Sequence, residues 1–154
     1  MSTQDEKVFK NCVTVRYSET DRSGIVSVQH YLTWLDTARD RFFEYMGIPY
    51  NCSFEAKGYL LMLADYLIDF NRQVNAFEDI EIYSSVTHLE PKRVIITHRV
   101  FLKGDEEAHA VPVCEAHAKL AFVSMKTHRS VTFDQEEPAV FNRLCEFLQE
   151  GHSF

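Results

Sequence analysis

The sequence predicts an α+β fold, one five-stranded antiparallel sheet wrapped around one long helix. Three observations carry this. A single long apolar-periodic segment lies near the N-terminus, four consecutive alternating runs follow it, and the breaks between those runs are short and rich in turn residues. The 154 residues are the length of one ordinary domain, and no repeat or Pro/Gly/Ser-rich linker divides them, so residues 1–154 read as one domain.

Residues Val8 to Tyr17 read as the first strand, with Val13, Val15 and Tyr17 alternating against Thr14 and Arg16. The polar run Ser18 to Gly24 follows as a loop. Then Val28, Tyr31, Leu32, Leu35, Ala38, Phe42, Tyr45 and Met46 recur at helical spacing. Ser27 stands at the N-cap position, and Gly47 and Pro49 supply the stop. The apolar positions occupy more than a narrow stripe, which predicts a largely buried helix.

Strands are predicted over Tyr59 to Phe70, Asp79 to Leu89, Val94 to Leu102 and Ala110 to Met125. In the first of these, Leu60, Met62, Ala64, Tyr66, Ile68 and Phe70 would share one side. The last is long and is expected to bend, with Pro112 near its start. Glu90-Pro91 and Lys103-Gly104-Asp105 read as short antiparallel turns. Glu136 to Gln149 reads as a C-terminal amphipathic helix that buries Val140, Leu144 and Phe147 or Leu148.

Composition narrows the function. The chain is 45% hydrophobic with Phe 12, Tyr 7 and Trp 1, enough for a substantial core. Its formal charge of -7 speaks against general nucleic-acid binding. No apolar run opens the sequence or reaches membrane-spanning length, so a soluble, cytoplasmic protein without a signal peptide or membrane partner is expected. Cys12, Cys52, Cys114 and Cys145 form no CxxC pair and read as free, mostly buried thiols. The histidines are dispersed, and HExxH, GxSxG and Walker motifs are missing, so neither a metal site nor a serine hydrolase is expected.

The informative stretch is Tyr17 to Arg39. A polar loop carrying Glu19 and Asp21 feeds directly into the start of the buried helix. A helix start offers unpaired N–H groups and the positive end of a dipole, which suits a developing oxyanion. A carboxylate a few residues upstream reaches the same place. Glu19 reads as a solvated loop residue, and Arg39 as the partner of a nearby acid such as Asp36. His98 and His117 lie within strands and need no special role.

Asp21-x-x-Gly24-Ile25-Val26, followed by Tyr31, Trp34 and Ala38-Arg39, resembles the signature of hotdog-fold thioesterases. The group it resembles is the 4-hydroxybenzoyl-CoA thioesterase-like, or YbgC-like, acyl-CoA thioesterases. Asp65-Tyr66 through Val74 and the turn Ala76-Phe77-Glu78-Asp79 add to the resemblance, which spans about residues 8 to 133. It implies a hotdog fold and a homodimer or homotetramer with active sites at the dimer interface. It also implies hydrolysis of an acyl-CoA or acyl-carrier-protein thioester in lipid metabolism, with no cofactor beyond the CoA or phosphopantetheine of the substrate. Asp21 would attack the thioester carbonyl or activate water, and the backbone N–H of Val28 would polarise the carbonyl oxygen. Members of that group commonly carry Tyr, His and Asn where this chain has Ser27, Val28 and His30, so His30 is the candidate for any assisting role. Gly24 and Ile25 are candidates to line the substrate site, and Tyr31 and Trp34 read as core or interface packing or, alternatively, as a wall of the acyl pocket. The basic pairs Lys92-Arg93 and Lys126 with Arg129 are candidates for CoA phosphates or an acidic carrier protein. Two other readings stay open: a domain that binds an acyl thioester without cleaving it, and a scaffold within a fatty-acid or polyketide pathway.

Overall fold

The computed structural model describes residues 7–21, 23–48, 57–105 and 111–149. Its strands are β1 (Phe9–Thr14), β2 (Tyr59–Phe70), β3 (Asp79–Glu90), β4 (Arg93–Leu102) and β5 (Cys114–Ser124). Its helices are α1 (Val28–Tyr45), α2 (Phe133–Glu136) and α3 (Pro138–Phe147). The strands form one antiparallel sheet in the order β1-β3-β4-β5-β2, which leaves β1 and β2 as its edges.

The sheet's inner face is set by alternation. Ile80, Ile82, Ser84 and Val86 of β3, Val94, Ile96, His98 and Val100 of β4, and Ala116, Ala118, Leu120 and Phe122 of β5 are all buried. They pack against Leu35, Ala38, Phe42 and Phe43 of α1. The core falls into two clusters. One surrounds the C-terminal half of α1 with Phe122, Phe133, Leu144 and Phe147; the other surrounds its N-terminal half with Tyr31, Trp34, Val74 and Ile80. Buried Arg39, His98 and Ser84 belong to neither. His98 is fully buried and its Nδ1 shares a 2.7 Å hydrogen bond with Ser84 Oγ. Burial first, then the Arg39 charge, then His117, push its pKa down to about 3.

Several expectations need correction. The first strand ends at Thr14, and Tyr17–Glu19 is a 3₁₀ turn. In β2 the pairing with β5 shifts between Leu63 and Asp65. That bulge at Ala64 reverses the alternation, so Leu61 and Leu63 lie opposite the inward Phe122 and Leu120, then Tyr66, Ile68 and Phe70 continue the inner face. Leu60 and Met62 fall on the outer side. Strand β5 begins at Cys114, after Pro112, while Ala110 lies outside the described residues; the link from β4 is thus longer than the Lys103-Gly104-Asp105 turn that opens it. The expected C-terminal helix is α3, which begins at Pro138 and buries Val140, Leu144 and Phe147, and a separate short helix, α2, precedes it. Pro138 lacks an N–H and bars Glu137 from helical geometry, so Glu137 sits at φ -139 and ψ 66 between them. Phe133 on α2, with no exposed area, stacks on Phe122 at 3.7 Å and joins the core. Among the described cysteines only Cys114 is buried; Cys12 and Cys145 are exposed, and Cys52 lies outside the described residues, as does Pro49.

Candidate active site

The loop between Glu19 and α1 is a small closed hairpin. Thr20 bridges Val26, Asp21 N–H donates to Ile25 O at 2.9 Å, and Gly24 N–H donates to Asp21 O at 3.0 Å. Gly24 takes φ +79, a left-handed conformation that glycine adopts without strain. Ser27 N–H reaches back to Glu19 O at 3.3 Å. The hairpin is anchored to the sheet by Val26 N–H to Val74 O at 3.0 Å and by the Ile25–Asn75 bridge. Asp21 is therefore held within a loop whose two strands close immediately before the helix begins.

The Asp21 side chain is exposed. Its Oδ1 accepts from Ser23 Oγ at 2.5 Å and from Ser23 N–H at 2.8 Å. These two bonds hold its pKa below the ordinary carboxylate value. The carboxylate is ionised at neutral pH and stays exposed.

Ser27 occupies the N-cap in extended geometry (φ -80, ψ 152), yet its hydroxyl makes no capping bond. Among the described residues no carbonyl accepts from Val28 N–H. The start of α1 thus presents donors that its own side chains leave unused. The Val28 side chain is 57% exposed beside them. His30 is half-buried, its N–H bonded to Ser27 O at 3.1 Å.

The other candidates separate into three groups. Tyr31 is buried and its ring meets those of Trp34 and Phe70 at 5.2 and 5.1 Å, edge to face. Trp34 is buried on the flank of α1 that faces β1, where it lines a cleft of about 670 Å³ with Asn11, Thr14, Arg16, Thr37 and Arg41. Glu19 is not merely solvated: its Oε2 accepts from Trp34 Nε1 at 2.6 Å and its Oε1 from Arg16 N–H at 2.8 Å. Arg39 pairs with Asp36 at 3.3 Å, as expected.

Lys92, Arg93, Lys126 and Arg129 are exposed and gather at one end of the sheet. Lys92 O accepts from Phe122 N–H, and Arg129 O from Ser124 N–H. That end is where Tyr59 of β2 pairs with Ser124; the Asp21 loop is tied beyond the other end, past Phe70. A strand as long as β2 separates them, roughly 35 Å at about 3.3 Å per residue. Within one chain the basic pairs and Asp21 do not share a site. Strand direction, which sets this separation, is invisible in a residue pattern. Ser23, which shapes the carboxylate, was likewise not among the expected site residues; an Asp-x-Ser spacing in a turn is the signal that marks it.

Residues 15–148 match the Thioesterase-like superfamily. The chain belongs to that family. A relative from Bacillus subtilis, described as a putative acyl-CoA thioesterase, is 26% identical over 99 residues, 64% of this chain and 71% of its own. Among solved structures, a DHNA-CoA thioesterase from Staphylococcus aureus superposes with a TM-score of 0.78 at 17% identity, covering 90% of this chain and 89% of its own. Another Staphylococcus aureus protein, solved in complex with CoA, superposes with a TM-score of 0.77 at 12% identity, covering 96% and 89%. The architecture is the hotdog fold, and family membership makes the chain a thioester hydrolase by class. No helix among the described residues is long and apolar enough to cross a membrane.

Proposed function

We propose that this thioesterase hydrolyses an acyl-CoA or acyl-carrier-protein thioester with Asp21 as the reacting carboxylate and the start of α1 as the oxyanion site. The observation that carries the reading is the hairpin that bonds an ionised, exposed Asp21 into the turn just ahead of an uncapped helix. As general base, Asp21 takes a proton from water while the hydroxyl oxygen adds to the thioester carbonyl. The carbonyl oxygen becomes an oxyanion held by Val28 N–H and the helix dipole. The C–S bond then breaks, and the thiolate leaves and collects a proton. As nucleophile, Asp21 would instead form a mixed anhydride and expel the thiolate, and water would then cleave the anhydride. Neither route requires a cofactor.

The assembly proposed for this site is a two-fold dimer through β2. Its free edge runs for 12 residues, and Leu63 and Phe70 on it, with Val28 and Leu32 on the adjoining flank of α1, are large apolar side chains between 38% and 57% exposed. A long, apolar, unpaired edge is a surface that proteins normally cover. Antiparallel pairing of two β2 edges reverses one copy against the other. The basic end of the partner then comes alongside the Asp21 end of the first subunit. Lys126 and Arg129 of the partner subunit become the cations for CoA phosphates, while the acyl group lies on the Val28, Leu32 and Phe70 flank.

The test is direct. Asp21→Asn and Asp21→Ala are assayed with a panel of acyl-CoA and matched acyl-carrier-protein substrates, reading released thiol. A folded variant that keeps the wild-type rate refutes the assignment; a loss of about 10²-fold or more supports it. Tight binding by the wild-type protein without thiol release would instead favour the non-catalytic binding domain. Label found in the Asp21 carboxylate after a single turnover in ¹⁸O-water identifies the nucleophilic route, with water adding to the Asp21 carbonyl of the anhydride; trapping the anhydride with hydroxylamine as an acyl hydroxamate identifies it when water adds to the acyl carbonyl.

A further inference from the structure

We propose that the cleft between β1 and α1 is a second binding site, for a small organic molecule with an anionic oxygen group at each end, and that Arg16 and Arg41 hold those ends. The cleft, of about 670 Å³, runs between the outer edge of β1, from Asn11 to Arg16, and the flank of α1 that carries Trp34, Thr37 and Arg41.

Strand and helix run in opposite directions along it. Phe9 meets the rings of Phe42 and Tyr45 near the end of α1, whereas Glu19, just past Arg16, bonds Trp34 near its start. Arg16 therefore stands at the Trp34 end of the cleft and Arg41 at the Asn11 end. Trp34 and Arg41 are two turns apart, about 10 Å along the helix. Cations at the two ends of a cleft match a ligand with two anionic groups better than one with a single charge.

The charge on its walls is unbalanced. The chain carries a formal charge of -7, yet neither guanidinium enters a salt bridge among the described residues. Glu19 is the only acid among the described residues that line the cleft, and both its oxygens are taken, by Trp34 Nε1 and Arg16 N–H. Backbone donors lie between the two cations. Val15 turns both its N–H and its C=O toward the β3 side, donating to Glu78 O and accepting from Phe77 N–H. Alternation along the strand aims the N–H groups of Thr14 and Cys12 the other way, off the free edge of β1 and into the cleft. Guanidinium forks bind carboxylate and phosphate oxygens bidentately, and the edge amides add further donors. The site is distinct from that of the thioester. β1 and β2 are opposite edges of the sheet, and the acyl-CoA reading above uses the β2 edge.

Trp34 is the chain's one tryptophan and lies on the cleft wall, so intrinsic fluorescence reports binding there without any need for turnover. The protein is titrated with suberate and with fructose 1,6-bisphosphate, and with their one-ended counterparts octanoate and fructose 6-phosphate. The expected result is a saturable change with at least one two-ended probe and a Kd at least about tenfold higher for its one-ended counterpart. The Kd of the two-ended probe should rise by a similar factor in Arg16→Gln and in Arg41→Gln, with Arg41→Lys in between. Which probe binds tells carboxylate from phosphate. Asp21→Asn should keep the wild-type Kd. The proposal is overturned if neither two-ended probe binds, if the one-ended counterpart binds equally well, or if either Arg→Gln variant binds as wild type does. Displacement of the bound probe by the non-hydrolysable thioether octyl-CoA, or loss of binding in Asp21→Asn, would also overturn it, by giving the cleft to the substrate.

Discussion

The indole N–H of Trp34 donates to Glu19 Oε2 at 2.6 Å, joining the second turn of α1 to the 3₁₀ turn that precedes Asp21. Glu19 has its other oxygen on Arg16 N–H, the N-cap of its own turn, so one carboxylate closes that turn and ties it to α1. Glu19→Ala removes both acceptors and leaves a half-buried indole N–H without a partner. The expected loss of stability is about 1–3 kcal/mol by urea denaturation. The loss in kcat should exceed tenfold under conditions where the variant is fully folded, because the hairpin that positions Asp21 loses its anchor. A variant with unchanged kcat would show that the hairpin keeps its shape without this bond.

Ser23 sets the acidity of Asp21. Its hydroxyl and N–H both favour the ionised carboxylate and hold its pKa below the usual value. The wild-type profile of kcat/KM should therefore stay level down through about pH 5 and fall only in stronger acid. Ser23→Ala removes the hydroxyl bond, which raises the carboxylate pKa and shifts that acid limb to higher pH. A limb that stays in place in the variant would assign the titration to another group.

His98 makes stability depend on pH. Burial, Arg39 and His117 lower its folded pKa to about 3, against an unfolded value near 6.5. Between those two values the unfolded chain binds a proton that the folded chain refuses. Stability from this residue is complete above pH 6.5 and is lost progressively as pH falls toward 3, by at most about 1.4 kcal/mol per pH unit. His98→Gln should flatten the urea-midpoint profile between pH 6 and 4 relative to wild type. Parallel profiles would mean that carboxylates alone govern acid unfolding.

Leu63 tests the dimer. It lies on the inner side of the free β2 edge and is 43% exposed. Leu63→Lys places a charge in the proposed interface while leaving the chain's own core untouched. Sedimentation should show a dimer for wild type and a monomer for the variant, with acyl-CoA hydrolysis reduced at least tenfold. A monomeric variant with full activity would show that each chain carries a complete site.

The fold was legible because its main signals are local. Helical spacing from Val28 to Met46 and alternation in the β3 and β4 segments each survive in the structure. The bulge at Ala64 was hidden, since one inserted residue leaves Leu60, Met62 and Ala64 looking like a continuous face. Asp21 and its loop stood out as a polar segment feeding an apolar helix. The bonds of Glu19 to Trp34 and the distance of Lys92, Arg93, Lys126 and Arg129 from Asp21 arise from tertiary geometry, which residue spacing does not encode. The break before Pro138 was readable in principle, because a proline restricts the residue ahead of it.

The two apolar clusters meet the two ends of α1 separately, with Arg39, His98 and Ser84 between them. Both clusters hold the chain together, but the one around Tyr31 and Val74 also sets the posture of the Asp21 loop, through Val26 N–H on Val74 O. A change at the Tyr31 end therefore reaches the Asp21 loop and the core at once, whereas one at the Phe133 end reaches the core alone.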